Sequence, residues 1–419
     1  MRLLLSGGSH RGSLGAIGAI GYFLWSEAED VVTTLPGGKR GDRWSDVSEV
    51  VSVSGGSLAN AVMAAQPGGT VEETAAQLAG MRRRLLHDRM LPWKSPTRIA
   101  ATLALLSLAA ATIALLLAAF GVIGPDVLSQ APWAVVIGLT VVPIALTVGR
   151  RLATWYLVDS ATRITGGQAP LAPAGTGVRR HVISATGLAS GVPYYFVSGG
   201  APLEVSWGAA LTEGYTTSDA AVASCSLPGV GLVRAPARYR REYLVDGGVS
   251  GVFGEQIDDT FVRRPSDTWR SDGDAVFAVD AARHLVSDSR LARVARLFSL
   301  VALVGRWLKV SLEATYVNDL LDLGPEQCAR LCVPSTDGDG GELDDRRRRL
   351  DRLKERNAVL GLTSLSNATA TAAIATGFVA TLDVRIGLDD DRIEDGLRWL
   401  GAQLGVGDDL LACWQKTAS

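Results

Sequence analysis

Three short stretches of the chain combine residue types and spacings that could do chemistry. The first is Leu5-Ser6-Gly7-Gly8-Ser9-His10-Arg11-Gly12, which joins a short apolar run, Leu3 to Leu5, to a longer one, Gly15 to Trp25. A strand that turns through glycines into a helix points several backbone N–H groups at one spot, which suits a phosphate or an oxyanion. The second is Val50-Val51-Ser52-Val53-Ser54-Gly55-Gly56-Ser57-Leu58-Ala59. There an apolar strand ends at a serine with small neighbours and passes into a helical run, the build of a nucleophile elbow. The helix that follows aims its positive dipole end at Ser54, where an alkoxide would develop. A serine–glycine turn that only caps a helix has the same spelling. The third is Tyr243-Leu244-Val245-Asp246-Gly247-Gly248-Val249, an aspartate held at a strand end by two glycines. A plain β-turn is spelled the same way.

Each stretch alone is weakly specific. The first is not a dinucleotide fingerprint, because Ser9 stands where the second glycine belongs, and it lacks the Lys-Ser/Thr ending of a nucleotide P-loop. Together and in this order, the three resemble the patatin-like phospholipase family. That family carries a G-G-G-x-R-G loop, a G-x-S-x-G elbow and a D-G-G or D-G-A turn. The matching residues are Gly7 to Gly12, Ser52 to Gly56 and Asp246 to Gly248. Ala220 to Gly229 is similar to the family's A-x-x-A-S-x-x-x-P-G stretch, and His181 to Val197 looks like the paired strands before it. The resemblance spans about residues 1–90 and 150–285.

The resemblance implies a three-layer α/β domain with a mostly parallel central sheet. It implies a Ser54–Asp246 dyad in which the carboxylate accepts the serine proton. Backbone amides of Gly7, Gly8, Ser9 and Arg11 would hold the oxyanion, while Gly12, Ser52, Gly55, Gly56, Gly247 and Gly248 would shape the turns. The implied activity is hydrolysis of carboxyl esters in membrane phospholipid or another acyl lipid, with no cofactor and no metal. Ser9 and Ser52 depart from the family's glycines but keep small side chains, and Ser250 stands where the family often continues with Asn.

A Ser-His-Asp hydrolase would need a histidine beside the serine. The chain has four: His10, His87, His181 and His284. None has an evident triad context, although His284, which follows the strand-like run Val276 to Ala282, stays open as a partner; the dyad is what the resemblance implies.

The elements that must position these residues come next. Between Arg98 and Arg150 the only charged residue is Asp126. Ile99 to Ile123 is continuously apolar or small, Gly124-Pro125-Asp126 breaks it, and a second apolar stretch follows to Val148. A membrane-crossing helix needs about 20 such residues. We therefore expect a transmembrane hairpin at about 99–123 and 128–148, although a buried hairpin in a soluble core would read similarly. Arg82, Arg83, Arg84, Arg89, Lys94 and Arg98 precede it, and Arg150 and Arg151 follow. Both flanks, the catalytic domain and both termini are therefore expected on the cytoplasmic side of the bilayer. The expected organisation is 1–95 and 152–286 for the two parts of the α/β domain, 96–151 for the hairpin, and 287–419 for a helical C-terminal region.

The remainder of the chain sets bounds. Its 419 residues are 47% hydrophobic with a net charge of −2, which gives no general attraction to nucleic acid. The first residues read as a strand of the fold and not as a signal peptide. Four scattered cysteines point to a reducing compartment, and Cys328 and Cys332 read as one turn of a packed helix. Arg290 to Lys309 has the pattern of an interfacial or a core-packed helix, and Asp337 to Arg356 that of a solvated loop and helix. The apolar segment Ala358 to Leu382 is read as buried. Two rivals stay open: a catalytically silent scaffold of the same shape, and a nucleotide-binding membrane protein that uses the Gly7–Gly12 loop.

Overall fold

The computed structural model describes residues 1–8, 10–31, 43–87, 155, 157–177, 179–203, 208–226, 233–235, 242–249, 276–281, 327–332, 342–358 and 365–417. The expected hairpin, Ser9, His284 and Arg290 to Lys309 lie outside these residues.

Among the described residues the sheet holds nine strands, with flanking helices, and is mostly parallel. Strand β1 (Arg2–Leu5) lies at its centre. On one side it pairs in parallel with β2 (Glu49–Ser52), which pairs in parallel with β3 (Arg180–Gly187). On the other side it pairs with β8 (Val276–Asp280), followed by β9 (Cys328–Arg330). Strand β4 (Pro193–Ser198) returns antiparallel along β3 and carries β5 (Ala209–Leu211) outside it. Two short strands, β6 (Val233–Arg234) and β7 (Tyr243–Asp246), form an antiparallel pair that joins the sheet through β3.

Runs such as Leu3-Leu4-Leu5 are apolar without alternation because both faces of the sheet are buried. Leu3 and Leu5 enter the larger core, and Leu4 enters a smaller one with Val51, Val182, Tyr195 and Ala278. Successive side chains on a strand point to opposite faces, so one run feeds both cores.

Helix α1 (His10–Ala28) follows β1, and α2 (Gly56–Ala64) and α3 (Val71–His87) follow β2. After β5 comes α4 (Thr217–Cys225). The C-terminal part forms α5 (Glu342–Ala358), α6 (Asn367–Ile386), α7 (Asp390–Leu404) and α8 (Asp409–Gln415). Helix α1 is buried almost all round, as its apolar run Leu14 to Trp25 requires. It crosses α6 at very short range: a Cβ on Gly18 would lie 2.0 Å from the Ile374 carbonyl oxygen. Among the described residues α6 is the one helix long and apolar enough to span a bilayer, and it is mostly buried in this packing.

Two expectations for the C-terminal region change. It is not wholly helical, because Cys328–Arg330 forms the edge strand β9 beside β8. Cys328 and Cys332 consequently do not share a helical turn; one lies in the strand and the other just beyond it, both buried. Three residues fit a strand and a helix equally well, and pairing to β8 decides between them.

Candidate active site

The site gathers at the C-terminal ends of the parallel strands, and strand β3 acts as the ruler that assembles it. Its first half pairs with β2, with Ser52 opposite Ile183. Beyond the end of β2 the same edge is taken over by β7, with Asp246 opposite Ala185. The two partners on β3 are two residues, or about 7 Å, apart. Ser54 lies two residues past Ser52, in the turn that leads into α2. Two segments almost 200 residues apart in sequence thus end against each other. The Ser54 hydroxyl hydrogen-bonds the Asp246 carboxylate.

The backbone of Ser54 is left-handed, at φ +51°. For a residue with a side chain this costs roughly 1 kcal/mol or more, and it persists where surrounding contacts over-determine it. Val53 N–H donates to the Leu5 carbonyl at 3.0 Å, and Ser13 Oγ donates to the Gly55 carbonyl at 2.7 Å. The elbow is therefore tied to β1 and α1 on either side of the serine.

Burial raises the Asp246 carboxyl to about pKa 6, against hydrogen bonds from Ser54 and from Gly248 N–H that pull it down. The Gly248 bond is 2.8 Å. A carboxylate desolvated to this degree is a stronger base than one in water and is still ionised at neutral pH.

The glycine loop lies over the serine. A Cβ on Gly7 would sit 3.1 Å from Ser54 Cβ, and one on Gly12 would sit 3.1 Å from Gly56 N. Gly8 has φ +127°, and a Cβ there would lie 2.5 Å from the Ala281 carbonyl oxygen, so only glycine fits. Among the described residues none accepts a hydrogen bond from the N–H of Gly7 or Gly8. Gly7 and Gly8 are half-buried, and loop amides left open in this way can receive an anionic ligand atom. Arg11 lies in the first turn of α1 with its side chain buried, and Gly55 and Gly56 open α2, so two helix N-termini converge here.

The described histidines do not make a triad. His181 pairs with Val50, four residues or about 13 Å of strand before Ser54. It is buried, and its Nδ1 meets Asn60 Oδ1 at 2.8 Å. Burial, together with the nearby Arg179, lowers its pKa to about 3, so it stays neutral. His87 is the last residue of α3, and His10 is the first residue of α1. The hydrogen-bond partners of the Asp246 carboxylate among the described residues are Ser54 and Gly248.

Sequence reasoning missed the support beneath the elbow. Asn60 Nδ2 donates to Ser52 Oγ at 2.8 Å and to the Val182 carbonyl at 2.9 Å. Ser52 Oγ donates in turn to the Val182 carbonyl. The serine that replaces a glycine is thus hydrogen-bonded inside the fold, and the polar asparagine within the apolar run Leu58 to Ala65 was the signal for it. Sequence reasoning also gave no role to Ser224, Cys225 and Ser226, which touch Ser54 and Asp246 directly.

No family model matches the chain, and no curated protein matches it.

Proposed function

We propose that the chain is a membrane-anchored serine lipid acyl hydrolase of the patatin-like type, with Ser54 as nucleophile and Asp246 as general base. The observation that carries the reading is the hydrogen bond from the Ser54 hydroxyl to a carboxylate raised to about pKa 6. The strained turn at Ser54 supports it, as do the amides of Gly7 and Gly8, which meet no acceptor among the described residues.

In the first step Ser54 Oγ attacks the ester carbonyl carbon while its proton passes to Asp246. The carbonyl oxygen becomes an oxyanion beside the amides of Gly7 and Gly8, with Ser9 and Arg11 as the further donors the family pattern implies. The tetrahedral intermediate collapses, the C–O bond to the alcohol breaks, and Asp246 returns the proton to that alcohol. In the second step Asp246 takes a proton from water, which attacks the acyl-enzyme. Release of the fatty acid then returns the proton to Ser54 Oγ. No histidine, metal or cofactor takes part in these steps.

The membrane part of the reading rests on the sequence. The hairpin at about 99–123 and 128–148 lies between Ser54 and Asp246, so the two can meet only if the chain crosses the bilayer an even number of times. Two spans keep both on the cytoplasmic side. Anchoring confines the enzyme to the surface that holds its substrate.

The test is fatty acid release from mixed phospholipid vesicles by the detergent-purified protein, beside Ser54→Ala and Asp246→Asn. We expect release by the wild type and none by either variant. A wild type that releases nothing, and whose Ser54 resists a fluorophosphonate, would leave the silent-scaffold reading in its place.

A further inference from the structure

Three consecutive residues at the end of α4 reach both members of the dyad. Ser224 Oγ accepts a hydrogen bond from Ser54 N–H at 2.9 Å and lies 2.8 Å from Ser57 Oγ. Cys225 Sγ donates to the Ser54 carbonyl. The Ser226 carbonyl accepts from Asp246 N–H at 2.7 Å, while its own side chain is turned back to the Val222 carbonyl. The hydrogen bonds to the dyad are all to backbone, and the buried Cys225 thiol is also near enough to the Asp246 carboxylate for that charge to help keep it protonated.

A left-handed serine is held in place when both of its peptide groups are fixed. Ser224 fixes the N–H of that residue and Cys225 its C=O, and the next residue along fixes the strand that ends at Asp246. Helix α4 is itself placed by a capping box at its other end. Thr216 Oγ1 accepts from Asp219 N–H at 3.1 Å, and Asp219 Oδ2 accepts from Thr216 N–H at 2.9 Å. The cap fixes where the helix starts, and so which residues reach the elbow nine positions later.

We propose that Ser224, Cys225 and Ser226 form a positioning bracket that holds Ser54 in its left-handed turn and in register with Asp246. The proposal rests on the reading of Ser54 and Asp246 as a dyad. One consequence concerns the oxyanion. The Ser54 amide is already bound to Ser224, so it is not a donor, and that role falls to the loop amides.

The test uses the full-length protein in detergent, with Ser224→Ala, Cys225→Ala and Cys225→Ser beside the wild type. Fluorophosphonate labelling of Ser54 is resolved into a chemical rate constant and a half-saturating probe concentration. Residue-resolved hydrogen exchange follows the Ser54 amide, and thermal midpoints confirm that each variant is folded. For Ser224→Ala we expect a chemical rate about tenfold lower, an unchanged half-saturating concentration, and Ser54 exchange about tenfold faster. Cys225→Ser, which keeps a donor, should recover most of the rate lost in Cys225→Ala. Unchanged Ser54 exchange in Ser224→Ala overturns the bracket, as does a Cys225→Ser variant no faster than Cys225→Ala. If the wild type is not labelled, the dyad reading falls, and faster Ser54 exchange in Ser224→Ala still supports the bracket as what sets the turn.

Discussion

Glu49 opens strand β2 at one end of the sheet, and Asp246 closes β7 at the other. Both carboxylates are subject to burial, which favours the neutral form. At Glu49 that effect is outweighed by Arg2 and Arg180, whose guanidinium groups lie 2.8 and 3.0 Å away, and its pKa is lowered. At Asp246 no cation among the described residues intervenes; a hydroxyl and an amide are its partners there, and its pKa stays raised, at about 6. The same sheet therefore carries one acid fixed as a structural anion and one kept basic. Ion pairing separates an acid that holds the fold together from one suited to accept a proton.

The largest expected difference between the two ends is in rate. Asp246→Asn should lower ester hydrolysis by about ten-thousandfold while the protein stays folded. Glu49→Gln should leave the chemical rate within a few-fold but destabilise the fold by about 3 kcal/mol, because it strands two arginines. Vesicle assays paired with chemical denaturation would separate these outcomes, and a large rate loss in Glu49→Gln would break the comparison.

Next in size is the response to pH. Activity should fall about tenfold per unit below pH 6 as Asp246 takes up a proton. Stability should respond with opposite signs at the two ends. The folded pKa of Glu49 lies below the unfolded 4.5, so its stabilising contribution is present above pH 4.5 and is lost as pH falls through the folded value. Asp246 is raised from 3.8 to about 6, so its contribution is full below pH 3.8 and is lost as pH rises through 6. Asp246→Asn should therefore melt higher than wild type at pH 7 and approach it near pH 4, whereas Glu49→Gln should melt lower at pH 7. Thermal unfolding of both variants across this range checks the signs, and a shared sign would contradict the account.

The smallest effect sharpens the site end alone. Ser52→Gly removes the hydroxyl that meets Asn60 and the Val182 carbonyl. It should destabilise the fold by about 1 kcal/mol and change the hydrolysis rate by less than about threefold. A far larger rate change, measured beside the melting temperature, would mean that the layer under the elbow controls the serine.

Local sequence was sufficient for features whose physics is local. Leu3 to Leu5 and Val50 to Ser52 form strands, the glycines that follow permit sharp turns, and small residues at Gly55 and Gly56 let α2 begin at once. These features made Ser54 and Asp246 legible as candidates, and the paired strands at His181 to Val197 legible as β3 and β4. Cys328 to Arg330 was not legible as a strand, because three residues carry no periodicity of their own until β8 offers its edge.

What the sequence alone determined, then, is the set of turns and which side chains stand at them. Only the tertiary structure decided that β7 takes over the edge of β3 where β2 leaves it, bringing Asp246 to Ser54. It also decided that a hydroxyl and an amide, and no cation among the described residues, meet the Asp246 carboxylate, and that the end of α4 grips the elbow from behind. The physical reason is separation along the chain: these contacts join residues about 20 to 190 positions apart. Strand register and desolvation arise from pairing and packing over such distances, and no short window of residues contains them.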